Sequence, residues 1–215
     1  RDRSVSRGLG DVYKRQVVAL KAHRDLNLWY RTGLPYDEIH PEDPNNVGVI
    51  ARSETDGQEN MKAYKQIPDW KTHYPVAAYV SDLNDENGNP GWYLPAIKEV
   101  QAMVGWIDGE VLSPDGEAGQ EPSEAMKEKR KAINQLIVDN GGNEFYFYGY
   151  DVSFIIDQTN AWEADYFNRI YTSTETDYQV HPMVFKFYLR NGWWENMHIY
   201  GDLASYGEIR PFLAF

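Results

Sequence analysis

Residues 91–100, Gly-Trp-Tyr-Leu-Pro-Ala-Ile-Lys-Glu-Val, constrain the fold more than any other part of the chain. Trp92 and Leu94 stand two apart, as on one face of a strand. Pro95 follows, and proline suits the first position of a helix because no N–H is needed there. Ile97, Val100 and Met103 or Val104 then recur at three and four residues, the spacing of a helix buried along one side. The segment predicts a strand turning into a helix over 95–106, with Trp92 and Leu94 in the core. Arg210 lies between apolar neighbours near the other end of the chain, so it needs a carboxylate or carbonyl partners.

The rest of the chain reads around this segment. Residues 17–20 are apolar and read as an opening strand. Residues 29–49, rich in Pro, Gly, Asn and Asp, read as loop. Thr55 or Asp56 can cap a helix from about 58 to 67, stopped by Pro68. The short apolar run 75–80 reads as a strand, and 81–90, with its Asn-Gly step, as a polar turn. After an acidic loop over 108–122, a second long helix is expected over 123–139, stopped by Gly141 and Gly142. From 144 onward the chain is aromatic and alternates by twos in places, as strands do. Two main helices followed by a strand-rich half predict an α+β fold.

Composition narrows the partners. Residues 1–16 lack apolar periodicity, and 11–16 (Asp-Val-Tyr-Lys-Arg-Gln) resemble a translated sequencing adapter, so this tail is expected to lie outside the fold. It carries five Lys/Arg against two Asp, so the remainder has a net charge of −15, compared with −12 for the whole chain. That sign excludes nucleic acid as a main partner, because phosphate backbones need a Lys/Arg footprint. It also opposes anionic membrane surfaces, and no apolar run approaches the roughly 20 residues that insert directly into a bilayer. The absence of Cys excludes disulfides, thiolate metal sites and thiol nucleophiles. Sixteen Tyr and seven Trp favour partly exposed binding faces, since both join an apolar body to a polar handle.

Catalytic and metal readings find little to stand on. Thr172, Ser173 and Thr174 form a hydroxyl run, but no Gly-x-Ser-x-Gly turn surrounds Ser173 and only five His are available to assist it. Glu163, Asp165, Glu175, Asp177, Glu195, Asp202 and Glu208 could in principle supply a glycosidase pair. In so acidic a chain their spacing does not establish one, so no catalytic residue is assigned. Residues 82–89 carry oxygen ligands of the kind calcium takes, yet position twelve is Tyr93 where a calcium loop needs Glu. A solvated turn is the expectation there, with no cofactor and no metal ligand assigned.

Four segments resemble, in order and rough spacing, a family of Bacteroidetes-type extracellular domains related to the Lcl C-terminal domain, with a C-type-lectin-like fold. They are 53–60 (Ser-Glu-Thr-Asp-Gly-Gln-Glu-Asn), 91–100, 171–175 (Tyr-Thr-Ser-Thr-Glu) and 210–215 (Arg-Pro-Phe-Leu-Ala-Phe). The resemblance implies one C-type-lectin-like domain over 17–215. Two main helices would flank a mostly antiparallel twisted sheet, with the chain ends side by side. Residues 144–169 look like an insertion relative to the family.

In lectin-like folds the ligand face is built from the carboxy-terminal strands. Alternation from Trp193 puts Trp194, Asn196, His198 and Tyr200 on one side, a composition suited to recognition. With Tyr178, His181 and Asn191 they make up the candidate ligand-binding set. The resemblance thus implies a non-enzymatic module at the cell surface or outside the cell that binds a protein or glycan, and a retroelement-diversified variable protein is one form of it. A carboxylate-based glycan hydrolase and a fimbria-associated structural subunit are the alternatives. Calcium-dependent sugar binding is not implied, because the carboxy-terminal half lacks the usual Glu-Pro-Asn-like triplet.

Overall fold

The strands nearest the two ends of the chain pair with each other in the computed structural model. It describes residues 16–24, 50–86, 88, 91–109, 123–146, 169–175, 182–186, 191–194 and 207–214, with 182–186 and 191–194 as backbone only. Strand β1 (Gln16–Val18) runs antiparallel to β8 (Phe212–Ala214), with Val17 opposite Leu213. Strand β2 (His23–Arg24) pairs in the same sense with β7 (Glu208–Ile209). One ribbon thus feeds two sheets. The three-stranded sheet has the order β1-β8-β3, where β3 is Trp92–Tyr93. The five-stranded sheet has the order β2-β7-β4-β5-β6, with β4 at Arg169–Glu175, β5 at Pro182–Lys186 and β6 at Asn191–Trp194. Every described pairing is antiparallel except β4 with β7. The fold is mixed α and β, and the expected adjacency of the chain ends is observed.

Five helices occur among the described residues. Helix α1 (Gly57–Tyr64) starts at Asp56, whose Oδ1 accepts the Glu59 N–H at 2.9 Å, as the cap reading expects. Its first residue must be glycine. A Cβ on Gly57 would collide with the Leu94 carbonyl oxygen and lie 2.8 Å from the Ala96 nitrogen. This close approach locks segment 53–60 onto segment 91–100. A single turn, α2 (Trp70–His73), leads to α3 (Pro75–Glu86).

Helix α3 corrects two expectations, the strand at 75–80 and the turn beginning at 81. Short apolar runs do not distinguish strand from buried helix. Here Val76, Ala77, Ala78, Val80 and Ser81 are buried, so the first two turns are enclosed almost all round, and Pro75 opens the helix where its missing N–H costs nothing. Two main helices were therefore too few.

Helix α4 (Ile97–Asp108) begins two residues later than expected, with Ala96 as its cap and Pro95 before it. Gly109 ends it at φ 78°. Helix α5 (Glu124–Asp139) is capped by Ser123, and Gly141 follows it at φ 75°, the stop expected there. Helix α4 packs on α5 and reaches β4, β5 and β6.

The core joins Tyr64 of α1, Val76 and Val80 of α3, Val100 and Val104 of α4, Ile170 and Tyr171 of β4, and Phe212 of β8. Leu94 is buried as predicted, but Trp92 is only half-buried. Strand pairing explains the difference. Tyr93 lies opposite Phe212 in the core row, which leaves Trp92, opposite Leu213, to the other face.

The start of the 144–169 segment also belongs to the core. Glu144, Phe145 and Tyr146 are buried, and Phe145 exchanges two backbone hydrogen bonds of 2.8 Å with the Asn134 side chain. An amide side chain in α5 thereby acts as a strand partner. Residues 147–168 and 1–15 lie outside the described residues, as do the loops expected at 29–49 and 110–122. Gln16, assigned to the tail by sequence, belongs to β1 and its side chain donates to Tyr93 and Glu99.

Candidate functional site

The polar runs 53–60 and 172–175 meet inside the protein. Asn60 of α1 donates to the Ser53 carbonyl at 2.7 Å and to the Ser173 Oγ at 3.0 Å, and its own Oδ1 accepts the Ser53 N–H at 2.9 Å. The Tyr64 hydroxyl donates to the Ser173 carbonyl at 2.7 Å, and the Ser173 N–H reaches the Pro95 carbonyl at 2.7 Å. The Thr174 Oγ1 accepts from Ile97 N at 3.1 Å and donates to the Ser53 carbonyl at 2.9 Å. Thr172, Ser173 and Thr174 are all buried. Their hydroxyls join β4 to the chain entering α1 and to the start of α4. The buried Ser173 Oγ, held by the Asn60 amide, ties β4 to α1.

The carboxylates divide in the same way. Glu175 accepts the N–H groups of Ile50 and Ala51 at 3.0 and 3.2 Å. Glu208 holds Arg24 at 3.0 Å through Oε2 and Arg210 at 2.9 Å through Oε1. Both belong to the set weighed as glycosidase acids, and both are tied into the fold. Glu163, Asp165, Asp177, Glu195 and Asp202 lie outside the described residues.

Arg210 meets its expectation in full. Besides Glu208 it donates to the carbonyls of Ala19, Leu20 and Asn143 at 3.1, 3.0 and 2.8 Å, and its guanidinium lies 4.0 Å from the Phe145 ring centre. Burial pulls its pKa below the ordinary arginine value, and Glu208 opposes that shift.

Glu99 is a residue the sequence reading passed over. Its Oε2 accepts from Gly57 N at 3.1 Å and Ala96 N at 2.7 Å, and its Oε1 from the Tyr93 hydroxyl at 2.9 Å and the Gln16 amide. A Glu three residues after a helix cap was the available signal, since it can reach back to the cap N–H. Burial raises the Glu99 pKa above 4.5, and the donors from Ala96, Tyr93 and Gly57 offset part of the rise. Burial and the neighbouring Glu99 raise that of Tyr93.

A carboxyl raised on folding takes up its proton more readily in the native state. Its stabilising increment is full below 4.5 and is lost as pH rises through the raised value. Wild type should therefore gain stability relative to Glu99→Gln as pH is lowered from 7 towards 4.5. Urea unfolding of both proteins across that range measures it. A gap moving the other way would mean that the four donors outweigh burial.

The residues weighed for calcium are occupied locally. Asp82 and Asn84 are in α3. Lys71 pairs with Asp82, and the Asn84 amide bridges the Trp92 N–H and carbonyl, each at 2.7 Å. Among the described residues no group of three His, Asp or Glu side chains converges.

Of the seven candidate ligand residues, Asn191 and Trp194 fall in β6. Tyr178, His181, Asn196, His198 and Tyr200 lie outside the described residues. Strand β6 pairs with β5, with Asn191 opposite Lys186 and Trp194 opposite Met183, and it forms the last strand of its sheet among the described residues. Asn191 and Trp194 are three apart, so strand alternation assigns them to opposite faces of β6. The register thus separates two members of the set. Among the described residues no helix is long and apolar enough to cross a membrane.

No family model, no curated protein and no solved structure matches the chain.

Proposed function

We propose that this chain is a non-enzymatic ligand-binding module of C-type-lectin-like type, displayed outside the cell and recognising a protein or glycan through its carboxy-terminal strands. The position of β6 carries this reading. Among the described residues it is the last strand of the five-stranded sheet, while α4 and the buried knot around Ser173 anchor the neighbouring strands. A rigid sheet with an aromatic-rich terminal strand is a suitable base for recognition, because preorganised aromatic anchors lose little entropy on binding. The paired chain ends and the mixed α and β layout are compatible with the lectin-like assignment. Burial of the Ser173 hydroxyl and of the Glu175 and Glu208 carboxylates favours binding over hydrolysis.

Replacing Trp194 and Tyr200 together with Ala tests the face. Binding on a glycan array or to a panel of surface proteins should be lost, with the thermal midpoint nearly unchanged. A double variant that unfolds, or that binds as wild type does, removes the face from the proposal. Turnover of chromogenic glycosides by wild type would favour the hydrolase.

A further inference from the structure

A second surface, remote in sequence from the carboxy-terminal strands, has the form of a small-molecule cleft. It lies between the three-stranded sheet and α3, with a volume near 440 Å³, within the range of about 300–1,000 Å³ common for ligand pockets. Strand β1 and the residues after it form its floor, and both Val17 and Val18 line it. Val18, Phe212 and Tyr93 form one row across the sheet, and the last two are deep in the core. Alternation turns Val17 and Trp92 to the opposite face, and both line the cleft. Ala19 and Pro211, joined by a 2.9 Å backbone hydrogen bond, extend that floor. Tyr79 and Leu83, one turn apart on α3, form the facing wall.

Two further observations single out this cleft. Of the four large hydrophobic side chains that the described residues leave exposed, Val17 (43%) and Leu20 (46%) both line it. Apolar surface clustered in this way costs free energy in water unless something covers it. The charge is also inverted relative to the rest of the protein. Its lining holds Lys21 and His23, the latter stacked on Tyr79 at 4.1 Å, and no Asp or Glu. The chain as a whole carries 33 Asp and Glu against 21 Lys and Arg. Lys21 thus places a cation at the rim of apolar walls, while Glu86, beyond the lining on α3, acts on Tyr79 from the other side.

We infer that the cleft between β1 and α3 binds an elongated apolar molecule bearing one carboxylate. The chain lies along Val17, Ala19, Trp92, Tyr79 and Leu83, and the carboxylate lies at the rim beside Lys21. Strand β1 is only three residues long, which favours a small ligand over an added peptide strand.

The test uses the full chain and decanoate below its micellar range, followed by calorimetry and by amide shift changes in the NMR spectrum. Decyltrimethylammonium, with the same chain and the opposite charge, is the control. Decanoate should bind saturably at one site and shift residues of β1 and α3, and the cationic control should bind more weakly. Lys21→Glu alters an exposed rim side chain. It should weaken decanoate about thirtyfold, roughly fivefold for the attraction lost and fivefold again for the repulsion gained in water, without moving the thermal midpoint. Leu83→Gln should weaken both probes. The inference is overturned if decanoate shows no saturable binding, if the cation binds as well as the anion, or if Lys21→Glu leaves decanoate affinity unchanged. Because no step involves Trp194 or Tyr200, the Ala variant of those two should bind decanoate normally, which separates this site from the proposed recognition face.

Discussion

Arg210→Met should cost more stability than any other single change considered, about 3–5 kcal/mol, the usual penalty for breaking a buried ion pair from one side. The guanidinium is fully buried and hydrogen-bonds to Glu208 and to three backbone carbonyls from two separate segments. Methionine fills much of the volume but supplies no donor. The carbonyls of Ala19, Leu20 and Asn143 would lose these bonds in a place water reaches poorly. Glu208 would keep Arg24 alone of its two arginine partners. Domains of this kind are stable by only about 5–15 kcal/mol, so the variant should melt far below wild type or be recovered largely unfolded. Arg210→Lys should recover only part of the loss, because one ammonium cannot reproduce a planar fork. Urea denaturation followed by near-ultraviolet circular dichroism measures both. A loss under 1 kcal/mol for Arg210→Met would show that the cluster is not central to the fold.

The second large effect is expected between α4 and α5. Asp108, at the end of α4, receives two 2.8 Å hydrogen bonds from Arg130 of α5, and both side chains are buried. Arg130→Met strips Asp108 of both bonds and should cost about 3 kcal/mol or more. The double variant Asp108→Leu with Arg130→Met removes the charge together with its partner. It should be more stable than the single variant, since an intact buried pair often contributes little net stability over an apolar pair. Thermal unfolding of the two single variants and the double variant closes the cycle. A double variant no more stable than Arg130→Met would mean that packing at this contact outweighs the charge.

Both arginines show how much of the fold could be read in advance. Arg210 was legible because a charge between apolar neighbours requires a partner wherever the chain places it. Arg130 was not, because a Lys- and Arg-rich helix looks uniformly solvated until the packing of α4 selects one residue for burial. The cap at Asp56 and the long helices α4 and α5 followed from local signals that packing does not override. Helix α3 escaped because its apolar run is short and carries no cap, so only contact with the rest of the core decides its period.

The candidate site was less legible still. The Ser-Thr run of β4 was visible as a row of hydroxyls, but it did not show that Asn60 would bind the Ser173 hydroxyl and that Ile97 and Ser53 would bind that of Thr174. The odd spacing of Asn191 and Trp194 implied opposite faces of a strand, but not that the strand would begin as early as Asn191.

The β1–β8 pairing also sets how the protein responds to force. Gln16 and Ala214 face each other as the outermost rung, among the described residues, of an antiparallel ladder. Tension applied at these two points loads that rung first, then Val17 with Leu213, then Val18 with Phe212, so the hydrogen bonds break singly. Such a seam peels open at low load, whereas a sheared pair of strands would resist with all its bonds at once. The Arg210 cluster lies directly beyond the last rung, where the Ala19 and Leu20 carbonyls are gripped. It is the clamp at which peeling would stop, and the element that decides whether the helical core opens with the ribbon or outlasts it.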